Sequence, residues 1–155
     1  MKKLLPITIV LVTIFTLSSC AIITVPEKPV TKTVEIPGKS KDQLYVDANN
    51  WMVSTFNNAE SVIQFSDKEA GQITGKYMLS LVTAGTQYGP ARYAYAIINV
   101  KVKDGASKIT VTPQEFSYAK GNIYTAYSQE KMDVDINNLI TDFEKGMKTE
   151  ADDNW

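Results

Sequence analysis

Apolar and polar positions change period several times along this 155-residue chain, and each change marks an element. Over residues 40–56, Leu44, Ala48, Trp51, Met52, Thr55 and Phe56 recur at spacings of three and four, while Asp42, Gln43, Asp47, Asn49, Asn50 and Ser54 fall mostly on the other side. This is one apolar stripe on an amphipathic helix. Ser40 stands at its N-cap and Gln43 follows at the capping-box spacing. Trp51, at the centre of the stripe, is assigned to packing. Most of the remaining chain alternates with period two. Residues 31–36 form a first strand, stopped by Pro37-Gly38, and residues 61–66 a second. Residues 67–71 make a turn whose Gly71 suits a positive φ. The strand from Gln72 to Thr83 places Ile73, Tyr77, Leu79 and Leu81 on one face and Thr74, Lys76, Met78 and Ser80 on the other. Residues 92–103 alternate most clearly, with Ala94, Ala96, Ile98, Val100 and Val102 against Tyr93, Tyr95, Ile97, Asn99 and Lys101. Asp104-Gly105 signals a hairpin. Residues 108–112 return with Ile109 and Val111 inward, and Pro113 argues for a sheet edge there. Residues 118–127 are irregular. Residues 133–147 form a second helix, with Ile136, Leu139, Ile140, Phe143 and Met147 on one stripe and Asp133 and Asp135 near its positive end.

The order strand, helix, four strands, helix implies an α+β two-layer domain. Its antiparallel sheet has about five strands, and both helices lie on one face. The domain spans residues 31–148, and residues 149–155 are an acidic tail.

The N-terminus follows a different logic. Met1-Lys2-Lys3 is basic, residues 4–17 are apolar, and Leu17-Ser18-Ser19-Cys20 closes the segment. The apolar run is shorter than the ~20 residues that span a bilayer, and its order is that of a secretory signal, residues 1–19. Leu-Ser-Ser-Cys resembles the lipobox of bacterial lipoproteins, which implies that Cys20 is diacylated on sulfur and becomes the first residue. Residues 20–30, with two prolines, then read as the lipidated cysteine and a flexible tether. The expected location is the cell envelope, with the membrane as a partner through the lipid. Removing residues 1–19 takes away Lys2 and Lys3 and leaves 14 basic against 17 acidic side chains, a net charge of −3. Cys20 is the only cysteine, so no internal disulfide is available and stability must come from the core.

Residues 37–45 (Pro-Gly-Lys-Ser-Lys-Asp-Gln-Leu-Tyr), then Trp51, Val62-Ile63-Gln64 and residues 67–76 (Asp-Lys-Glu-Ala-Gly-Gln-Ile-Thr-Gly-Lys) resemble the opening of domain of unknown function 4468. The resemblance covers about residues 31–118. It implies a TATA-binding-protein-like fold in a Gram-negative envelope lipoprotein, and it brings no activity or site residues.

Catalytic machinery is thin. The chain has no His, which removes the usual general base and the commonest metal ligand. Lys39, Ser40 and Lys41 could supply a Ser-Lys pair, but Ser40 is better used as a cap. The carboxylate pairs Asp67/Glu69 and Asp133/Asp135 flank a turn and open a helix. Gly71–Lys76 enters a strand and is no phosphate loop. No catalytic residue, cofactor or metal ligand is therefore assigned. Few lysines on an acidic exported chain also argue against nucleic acid, whatever the fold. The leading reading is a lipid-anchored, non-enzymatic binding module. A small carboxylate- or metal-dependent hydrolase is the alternative. The surface assigned to contact is Tyr93, Tyr95 and Ile97 with Met78 beside them, facing a protein, peptide or glycan partner or a second copy.

Overall fold

The computed structural model describes residues 21–56, 61–87, 89–121 and 125–149. The signal segment, Cys20 and residues 150–155 of the expected tail lie outside them. Nine elements follow in order: β1 (Ile22–Val25), β2 (Val30–Glu35), α1 (Lys41–Thr55), β3 (Val62–Asp67), β4 (Gln72–Thr83), β5 (Arg92–Lys103), β6 (Ala106–Pro113), β7 (Phe116–Ala119) and α2 (Gln129–Lys148). Five strands form one antiparallel sheet in the order β2-β6-β5-β4-β3. Both helices pack on one face, so the molecule is the α+β two-layer domain read from the sequence.

The inward side chains of β5 (Ala94, Ala96, Ile98, Val100 and Val102) are all buried. All five join Leu44, Ala48 and Met52 of α1 and Ile136, Leu139 and Phe143 of α2 in one continuous core. The two alanines keep that layer thin where the helices cross it. At the start of α1 the capping box is complete: Ser40 Oγ accepts from Gln43 N–H at 3.3 Å, and Gln43 Oε1 accepts from Ser40 N–H at 2.9 Å. Lys39 does a third job beside it. Its ammonium donates to Asp47 at 2.9 Å and to the carbonyls of Met147 and Thr149 at the end of α2. A cation there complements the negative end of the helix dipole and ties the two helices together.

Five expectations need correction. Residues 20–30 are not a continuous flexible tether, because Ile22–Val25 is a strand paired antiparallel with β7 in a separate two-stranded ribbon. Val25 is fully buried there against the core, and that burial holds a short strand that has no period of its own. At the start of the stretch expected to be irregular, Tyr118 and Ala119 complete β7, which the same pairing orders. The second helix begins at Gln129, one turn before Asp133. Met132 extends the buried stripe backwards, and Glu130 rather than Asp133 or Asp135 occupies the first turn. Leu81 does not share the inner face with Ile73. Register shifts between Met78 and Ser80 and between Leu81 and Thr83 reverse the alternation, so Val82 is buried and Leu81 stands opposite Tyr93. Pro113 closes β6, an interior strand, but it lies beyond Val111, the last residue that β2 pairs. Thr112 and Pro113 are unflanked on that side, which is where a proline fits.

The sheet ends on β2 and β3. In β3 the ladder to β4 is interrupted between Ile63 and Phe65, and Val62 and Phe65 are each 49% exposed.

Candidate functional site: the outer face of the sheet

The register of the central strands assembles the surface that the sequence singled out. Tyr95 of β5 lies opposite Met78 of β4, and Ile97 lies between Lys76 and Thr112. Tyr93 follows on the same face, opposite Leu81. The Tyr93 and Tyr95 rings sit 6.4 Å apart at 53°. Lys76 Nζ stands 3.7 Å from the centroid of the Tyr95 ring, a cation held against an aromatic face. Tyr93 is 39% exposed, and Tyr95, Ile97 and Met78 are each partly exposed. All four predicted residues are thus contiguous, on the face turned away from both helices.

A polar row borders this patch. Asn99 Nδ2 donates to Thr74 Oγ1 at 2.6 Å, and the hydroxyls of Thr31 and Thr110 are 3.1 Å apart. Beyond that row, towards the β5–β6 hairpin, Lys101 lies directly opposite Lys108, with Lys103 two residues on. These lysines and Thr33 line a shallow hollow of about 300 Å³. Leu81 extends the apolar part at the opposite margin, and along the edge strand β3 Val62 lies opposite Lys76 and Phe65 opposite Thr74. The sequence reading missed them because bulges in β4 and β3 break the alternation that would have assigned their faces.

The helix layer carries the remaining polar groups, and the observed contacts give them structural employment. Trp51 Nε1–H donates to Asp142 Oδ2 at 2.9 Å in a cleft of about 440 Å³ between α1 and α2. Tyr127 O–H donates to Asp135 Oδ2 at 2.8 Å. Asp67 Oδ1 accepts from Ala70 N–H at 2.9 Å and closes the turn before β4. Among the described residues no group of three His, Cys, Asp or Glu side chains is placed to hold a metal ion.

Burial first, and then the hydrogen bond to Asp135, push the Tyr127 hydroxyl well above the ordinary phenol value of 10.0. Burial and the nearby Asp135 and Asp142 also raise Tyr77. A phenol raised in the folded state stabilises the fold fully below its unfolded value, and that contribution is lost as pH rises above it. Stability should therefore fall as pH rises above about 10, a loss to which tyrosines of ordinary value contribute nothing. Urea midpoints measured between neutral and strongly alkaline pH test this. Tyr127→Phe should flatten the alkaline limb, and a limb unchanged by that substitution would show that Tyr127 is not its source.

The family model described as domain of unknown function (DUF4468) with TBP-like fold matches residues 31–118, more than half of the chain. The chain belongs to this family. Two solved structures agree with the assignment. A DUF4468 family protein from Bacteroides ovatus is 17% identical, with a TM-score of 0.56 over 80% of this chain and 88% of that one. A TBP-like protein from Parabacteroides distasonis is 14% identical, with a TM-score of 0.56 over 86% of this chain and all of that one. At those identities the likeness speaks to the fold. No curated protein matches the sequence. The DUF4468 match ends at Tyr118, so it takes in the whole outer face but neither β1 nor α2, the elements that close the core from its two sides.

Proposed function

We propose that this DUF4468 protein is a lipid-anchored, non-enzymatic module of the cell envelope that works by contact through the outer face of its sheet. The observation that carries the reading is the contiguous patch of Tyr93, Tyr95, Ile97 and Met78, which neither helix covers. Apolar and aromatic groups left together on a surface usually mark contacts. The anchor rests on the basic-apolar-Leu-Ser-Ser-Cys order ending at Cys20. Among the described residues no helix is long and apolar enough to cross a membrane. The non-enzymatic part rests on the lack of His and on the structural partners of Asp67, Asp135 and Asp142. Nucleic acid is not the proposed partner, since fold alone transfers no function.

Two substitutions test the two halves. Cys20→Ser should move the protein from the detergent phase to the aqueous phase after cell fractionation, and continued membrane partitioning would remove the anchor. Tyr93→Ser with Tyr95→Ser should leave the unfolding midpoint within about 0.5–1 kcal/mol while abolishing association measured by light scattering and pulldown from native membranes. Association unchanged in a stable double variant would make the face an ordinary wetted surface.

A further inference from the structure

The position of β1 decides what the outer face meets first. Cys20 is one peptide step from Ala21, about 3.8 Å between Cα atoms. Ala21 is already fastened, because its carbonyl accepts from Lys120 N–H at 2.9 Å, and β1 begins at the next residue. An acyl group on Cys20 would therefore stand one residue from fastened chain, and would hold the ribbon end of the domain close to the lipid headgroups.

The side chains at that end suit such a place. Ile22, the first residue of β1, is 75% exposed, more than any other large hydrophobic residue described. Arg92, at the start of β5, reaches the same ribbon through Nη2, 3.3 Å from the carbonyl of Ser117, and Tyr93 follows it onto the outer face. Tyrosine, an aliphatic side chain and a cation are the composition of a membrane–water interface, where rings sit among headgroups and long basic side chains reach their phosphates.

Charge then selects which face lies down. The outer face carries Lys76, Lys101, Lys103 and Lys108 against Glu35 and Asp67. The two helices carry seven acidic residues against four lysines, and they lie on the opposite side of the molecule. Lys101 directly opposite Lys108 is a repulsive cross-strand pair in water, and an anionic surface relieves it. In a mature chain of 14 basic against 17 acidic side chains, net −3, this separation turns the cationic face one way and the acidic layer the other.

We propose that the outer face of the sheet rests on an anionic bilayer, with Ile22 and Tyr93 seated among the headgroups beside the anchor and Lys101, Lys103 and Lys108 lying over the phosphates farther out. This rests on the lipidation of Cys20 proposed above and names the partner of the same face. The closed ribbon, the exposed Ile22 and the charge separation agree on that orientation. A soluble peptide or glycan would account for the tyrosines but not for the anchor being fixed at their end of the sheet.

The test uses the full lipidated chain in vesicles of phosphatidylcholine, with and without phosphatidylglycerol. Lipid occupies the only native thiol, so single cysteines placed by Ile22→Cys, Tyr93→Cys, Lys108→Cys and Val53→Cys take a nitroxide selectively. Val53 is exposed on α1 and reports the far side. Collision rates with oxygen and with a water-soluble nickel complex then read depth. At positions 22 and 93 the oxygen-to-nickel ratio should be several-fold above that at position 53. At position 108 nickel collisions should drop only when phosphatidylglycerol is present. A water-like ratio at position 93 in charged vesicles, with the acyl mass on Cys20 verified, overturns the proposal and leaves the anchor standing. Dipolar broadening between labels at position 93 without lipid contact assigns the face to a second copy and overturns it equally. A chain whose Cys20 carries no acyl mass removes the anchor and this orientation together.

Discussion

Gly71→Ala should destabilise the domain by about 3 kcal/mol, whereas Gly105→Ala should cost only about 1–2 kcal/mol. Both glycines sit in hairpin turns at positive φ, +63° for Gly71 and +74° for Gly105, so both substitutions carry the conformational penalty of a left-handed L-residue. They differ in what a new methyl group would meet. At Gly105 there is open space. At Gly71 a Cβ would stand 2.7 Å from the carbonyl oxygen of Val102 and 3.2 Å from its Cγ2. Main chain cannot rotate aside as a side chain can. It is held here by Val102 N–H donating to the Gly71 carbonyl at 2.8 Å, the bond that fastens the β3–β4 turn to β5. Urea unfolding of the two variants separates the terms. Equal losses would mean that backbone conformation alone explains Gly71 and that the contact with β5 relaxes freely.

Trp51→Ala should cost about 3–5 kcal/mol, the range for removing a large buried aromatic. Three contacts converge on this side chain. Its ring meets Phe143 edge-on, with centroids 5.0 Å apart at 78°. Its Nε1–H is satisfied by Asp142. Its Cδ1 would lie 3.0 Å from a Cβ at Gly146, so a residue with no side chain on α2 gives the indole its seat. Trp51→Phe keeps most of the apolar contact and strands one Asp142 oxygen near the surface, so its loss should be clearly smaller. A midpoint for Trp51→Ala equal to wild type would show that the helices do not depend on this anchor.

The parts of the fold visible in the sequence are those in which local period and tertiary burial agree. In β5 twelve residues alternate without interruption, and every inward residue proved buried, which placed Tyr93, Tyr95 and Ile97 on the opposite face before any contact was known. In α1 the stripe and the Ser40–Gln43 box point to the same boundaries. What stayed hidden depends on partners far along the chain. Ile22–Val25 is β-branched throughout, but these four residues between Cys20 and Pro26 show no alternation that would mark a strand. Its order comes from Phe116–Ala119, more than ninety residues away, and from a core that receives Val25. Leu81, Val62 and Phe65 were unassigned or misassigned because a bulge adds one residue and inverts every later face. The lysines of the hairpin end could each be read as outward from the alternation, but their concentration opposite an acidic helix layer emerges only from the sheet order. The role of Lys39 in holding the end of α2 was likewise invisible, since it joins residues more than one hundred positions apart.

The broken ladder of β3 acquires a further meaning if the protein is confined to a membrane. Copies anchored in one leaflet share a plane and a common orientation, so their sheet edges meet far more often than those of the same number of molecules in free solution. An edge strand carrying Val62 and Phe65 at the surface would then be an open invitation to pair, strand against strand, into a growing ribbon. The interruption between Ile63 and Phe65 puts the edge out of step with any straight partner. The opposite edge, β2, presents Lys32 and Glu35 instead. One border is irregular and the other charged, and such borders let a crowded two-dimensional population stay as separate molecules.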